Sequence, residues 1–87
     1  MPTLDSDRKT SHDKFDWNVG VNIRYLRTVA EIEQRTLAKL ADINQSQLSR
    51  IESGKRSLKF KEGMAIAKIL GVRPERLTKE VINAEME

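Results

Sequence analysis

Apolar residues recur along this chain at helical spacing, and no stretch alternates as a half-buried strand would. Val19, Ile23, Leu26 and Ala30 follow the i, i+4, i+7 rhythm of one face and predict a first helix over about 16–29, with Asp16 as its N-cap. Trp17, next to that cap, is expected to pack over the end of the core. Leu37 and Ala38 predict a second helix from Glu33 or Gln34 to Ala41, and Ala38 suits a close helix crossing. Leu48 and Ile51 predict a third over 45–53. Phe60, Met64, Ala67 and Leu70 or Ile66 predict inward positions of a fourth over 60–70, ended by Gly71. Pro74, a favoured first helical residue, predicts a fifth carrying Leu77, Val81 and Ile82 as its apolar stripe.

The third helix has the strongest local signals. Asn44 is a strong N-cap, and Gln47 three residues later completes a capping-box pattern. Ile43 and Leu48 are spaced as a hydrophobic staple, and Gly54 supplies a left-handed stop. Residues 1–14 lack periodicity and hold one large apolar side chain, Leu4, so they read as a flexible N-terminal tail. A single domain then spans 15–82, with a C-terminal tail over 83–87. Eighty-seven residues can bury one core.

Charge changes the picture because it is uneven. Residues 17–79 carry thirteen Lys/Arg against six acids, a net +7, whereas the whole chain carries +3. That is the electrostatic footprint of a polyanion binder. The chain has no cysteine, and its only histidine, His12, is in the expected tail. No metal-ligand spacing, nucleophile constellation or Gly-rich phosphate loop occurs, so neither an enzyme, a metal site nor a cofactor is expected. No apolar run approaches the ~20 residues needed to span a bilayer, and the polar N-terminus does not read as a signal peptide. The expectation is a cytoplasmic protein with no membrane partner.

The run Gln34 to Arg56, QRTLAKLADINQSQLSRIESGKR, resembles the Cro and lambda-repressor helix-turn-helix family of Xre-type regulators, most closely from Asn44 to Arg56. The resemblance spans about residues 19–77. It implies an all-α, compact five-helix lambda-repressor-like domain and a sequence-specific DNA-binding regulator, in the manner of a dimeric repressor. Helix 3 would then enter the major groove, where each base pair displays a distinct donor and acceptor pattern. Gln45, Ser46, Ser49 and Arg50, near its start and one turn on, are the expected base readers. By the same resemblance, Gln34 touches phosphate and braces Gln45, and Ser53, Gly54, Lys55 and Arg56 form a second phosphate clamp. Arg27 and Glu52 would pair to lock helix 1 against helix 3. Arg24, Arg35 and Lys59 are read as solvated charge.

Two departures stand out. Glu33 replaces the family's Ser or Thr cap, which should cost under ~1 kcal/mol, and Asp42 replaces the left-handed Gly that ends helix 2. The implied partner is double-stranded DNA, bound as a homodimer joined through Leu77, Val81 and Ile82. Restriction–modification controller proteins and toxin-binding antitoxins are both similar subgroups. The antitoxin alternative would make a protein toxin the main partner.

Overall fold

The computed structural model describes residues 2–81, with side chains from Lys14 onward. Ile82, the expected C-terminal tail and all but Lys14 of the expected N-terminal tail's side chains lie outside the described residues. Four α-helices, α1 (Pro2–Val29), α2 (Gln34–Leu40), α3 (Gln45–Glu52) and α4 (Phe60–Leu70), are followed by a 3-10 helix over Pro74–Thr78. No strand occurs among the described residues. Helix α1 packs on α3 and on the 3-10 helix, α2 on α3, and α4 on the 3-10 helix. Val19, Ile23, Leu37, Leu48, Ile51, Ile66 and Leu77 meet in the core, each at most 2% exposed.

Helix α1 does not start at Asp16. It begins at Pro2, a residue suited to the first helical position, and neither Gly nor Pro interrupts it before Gly20. Asp16 is therefore not a cap. It is buried, and its carboxylate accepts a bond from the Ser57 hydroxyl at 2.9 Å. Of the expected stripe, Val19 and Ile23 are buried, Leu26 is half-buried and Ala30 is exposed. Trp17 is 40% exposed, so it covers the core only in part. A Cβ built on Gly20 would lie 2.4 Å from the Ile51 carbonyl oxygen and 2.6 Å from that of Glu52. Only glycine lets α1 cross the end of α3 this closely.

The fifth helix is also corrected. It is a 3-10 helix that stops at Thr78, and Lys79 is already extended in ψ. Two asparagines on α1 explain the stop. Asn22 Nδ2 donates to the carbonyls of Leu77 (2.9 Å) and Lys79 (2.7 Å). Asn18 Nδ2 donates to the carbonyl of Lys79 (2.7 Å), and its Oδ1 accepts from the Val81 amide (2.6 Å). An α-helix would send that amide to the Leu77 carbonyl; the side chains have taken both groups. Leu77 is 1% exposed and belongs to the core of this chain, which withdraws it from the expected dimer surface.

Helix α4 has the expected bounds but a rotated inward face. Gly63, Ile66 and Ala67 are buried, while Phe60 is 84% and Met64 45% exposed. Leu58, just before the helix, packs against the core instead. Its Cδ2 would lie 3.1 Å from a Cβ on Gly63, so it covers the buried side of α4 at that glycine. No helix among the described residues is long and apolar enough to cross a membrane.

Candidate nucleic-acid interface

The turn between α2 and α3 forms without glycine. Asp42 takes φ +59°, the left-handed conformation expected of it, and the Ile43 amide reaches back to the Ala38 carbonyl at 2.8 Å. Glu33 at the N-cap of α2 makes no side-chain cap bond, as expected. Asn44 does cap α3: its Oδ1 accepts from the Ser46 amide (2.8 Å) and the Ser46 hydroxyl (2.6 Å). Oδ1 thus takes the Ser46 amide, at the second helical position, where the expected capping box would have it take that of Gln47 at the third. At the other end, Gly54 at φ +77° lets the Lys55 amide bond the Arg50 carbonyl at 2.8 Å. A Cβ there would sit 2.9 Å from the Trp17 Cα. Both ends of α3 are thereby fixed.

Helix α3 buries Leu48, Ile51 and Glu52 and exposes Gln45, Ser46, Ser49 and Arg50. The four residues expected to read bases therefore share the outer face of one short helix. Behind that face runs a chain of polar contacts. Arg27 Nε and Nη2 donate to the two Glu52 carboxylate oxygens at 2.8 and 3.0 Å, and Arg27 Nη1 donates to the Ile32 carbonyl at 3.0 Å. Gln34 Nε2 donates to Glu52 Oε1 at 3.1 Å, and Gln34 Oε1 accepts from Gln45 Nε2 at 3.4 Å. The Glu52 side chain is 5% exposed and that of Arg27 14%. The expected ion pair is present, and it reaches through Gln34 to the first residue of α3. A bidentate, buried guanidinium–carboxylate pair fixes distance and plane together.

The expected phosphate clamp divides. Lys55 is exposed. The Ser53 hydroxyl is engaged with the carbonyls of Ser49 (3.0 Å) and Arg50 (3.2 Å). Arg56 is not a free cation: Nη1 and Nη2 donate to the two oxygens of Glu62 at 2.9 and 2.8 Å. Those hydrogen bonds hold the Glu62 carboxyl below its ordinary value and raise Arg56 further. Glu62 Oε1 also accepts from the Lys59 amide at 3.0 Å, so the pair ties the loop to the start of α4. Arg24, read as solvated charge, lines a polar notch together with Gln34, Ser49 and Ser53. Its i, i+3 spacing from Arg27 was the available signal. Among the described residues no cluster of His, Cys, Asp or Glu could hold a metal ion.

A helix-turn-helix family model matches residues 23–77, more than half of the chain. No curated protein matches. Among solved structures the chain is similar to the restriction-modification controller protein C.AhdI from Aeromonas hydrophila, with 29% identity and a TM-score of 0.69. That likeness covers 71% of this chain and 94% of the other. The exposed polar face of α3, the left-handed turn before it and the family match agree: the chain belongs to the helix-turn-helix family of DNA-binding transcription regulators.

Proposed function

We propose that this protein is a sequence-specific regulator that lays α3 in the major groove of a pseudo-palindromic operator, one copy per half-site. Arg50 donates to a guanine edge, Gln45 pairs with an adenine, and Ser46 and Ser49 complete the contact. Gln34, the free amides at the start of α2, Lys55 and the backbone at Ser53–Gly54 hold phosphates on either side. The observation that carries this reading is the bonded chain Arg27–Glu52–Gln34–Gln45. It anchors a base-facing amide to a buried ion pair. Such rigidity serves recognition, since a free surface glutamine would lose rotamer entropy on binding. The likeness to a restriction-modification controller protein supports the same role here, control of transcription of a restriction–modification system. Selection of bound duplexes from a random pool tests the proposal. It should enrich an inverted repeat with half-sites about one turn, ~34 Å, apart. A pool that stays random after repeated selection at moderate salt would overturn it.

A further inference from the structure

The face of α1 that crosses α3 carries Gly20, Arg24 and Arg27 at i, i+4, i+7 spacing. The outer two are fixed. Gly20 lies against the carbonyls of Ile51 and Glu52, and Arg27 is bound to both Glu52 carboxylate oxygens. Arg24 is thus mounted on a stretch of backbone anchored on either side of it. Its own side chain is exposed and makes no hydrogen bond or ion pair with another described residue. It borders an open notch of about 310 Å³ whose other walls are Arg27, Gln34, Ser49, Glu52 and Ser53. Arg27 and Glu52 neutralise each other at 2.8 Å, and the remaining walls are uncharged. Arg24 therefore gives a polar notch a single uncompensated positive charge.

We infer that Arg24 holds a phosphate of the DNA backbone in this notch, which adds α1 to the elements that meet DNA. The inference rests on the proposed reading of α3 as the helix in the major groove. A helix in that groove has a sugar–phosphate strand along each flank. Ser49 belongs both to the outward face of α3 and to the wall of the notch, whereas Arg50 does not line it. The notch thus opens on the flank of the reading face, where a strand passes, and not at its centre, where base edges are. A guanidinium offers N–H donors on a planar fork that matches phosphate oxygens, and Ser49 adds a hydroxyl. Such a contact supplies affinity and register without sequence information.

The test compares full-length wild type, Arg24→Ala, Arg24→Lys and Lys68→Ala on the selected operator and on random duplex, across a salt series. Lys68 is an exposed cation of α4 that does not line the notch, and serves as the control. One phosphate contact adds about 0.9 to the salt slope, so from a molar reference it is worth about eightfold at ~0.1 M salt and about threefold at ~0.3 M. Arg24→Ala should lose those factors on both duplexes alike. Arg24→Lys keeps the charge and should recover most of the loss, while Lys68→Ala should match wild type. Thermal unfolding should coincide for all four proteins. An Arg24→Ala variant with the affinity and salt slope of Lys68→Ala would overturn the inference and leave the reading of α3 intact. A loss confined to the operator would make Arg24 a base reader and overturn the phosphate assignment. A loss that accompanies a lowered Tm and that Arg24→Lys does not recover would make its role structural. Wild type that binds neither duplex would overturn the DNA reading itself, and the inference with it.

Discussion

Substituting Arg27 by Met leaves Glu52 with one of its three side-chain hydrogen bonds, that from Gln34 Nε2 at 3.1 Å. The Glu52 side chain is 5% exposed, so water has little access to replace what is lost. Breaking a buried pair from one side costs ~3–5 kcal/mol. Glu52→Met should cost less, about 2–3 kcal/mol, because Arg27 keeps the Ile32 carbonyl and its longer stem can turn the guanidinium to solvent. The double substitution removes both charges and should be milder than the sum by about 2 kcal/mol or more. In a domain of this size 1 kcal/mol moves Tm by ~4–8 °C, so Arg27→Met should lower it by about 12 °C or more. Thermal unfolding followed by circular dichroism on all four proteins gives the cycle. Additive losses, with coupling near zero, would refute the reasoning and reduce both residues to surface charge.

Gly20→Ala should destabilise by about 2 kcal/mol or more, since the contacts at 2.4 and 2.6 Å are to backbone oxygens that cannot rotate away; a Tm within 2–3 °C of wild type, the range of ~0.5 kcal/mol, would contradict the crossing geometry. Asp42→Gly should stabilise by about 0.5–1 kcal/mol, because glycine takes φ +59° without the Cβ penalty, and a loss of stability in denaturant titration would contradict this. Glu62 has a depressed folded pKa, so its contribution is present above the ordinary carboxylate value of 4.5 and lost as pH falls through the folded value. The stability gap between wild type and Glu62→Gln should therefore be flat above that value and narrow below it, and a gap that widened in acid would have the wrong sign.

Local grammar made much of this legible. The Asn44 cap, the Gly54 and Gly71 stops, and the left-handed Asp42 are properties of single residues, and each stands where expected. The Arg27–Glu52 pair came from family resemblance; no spacing in one sequence brings residues 25 apart together. What stayed hidden depended on contacts between distant segments. The fifth helix ends early because Asn18 and Asn22, some 55–63 residues away, hold its backbone groups, and asparagines in a helical pattern read as surface. Phe60 was expected inside because large apolar residues usually are. Leu58 packs against the core and Phe60 does not, and a two-residue difference in register is beyond what periodicity resolves. Arg56 read as a free cation only until Glu62 was folded against it.

On the proposed reading, the outer face of α3 reads bases while the loop after it holds the backbone. Binding of wild type, Arg50→Ala and Lys55→Ala to the selected operator and to random duplex, across a salt series, separates the two roles. Arg50→Ala should lose ~1–3 kcal/mol on the operator, little on random DNA, and relax preference at one base pair per half-site. Lys55→Ala should weaken both equally and reduce the salt slope by about one unit. An equal loss on operator and random DNA for Arg50→Ala would contradict the account.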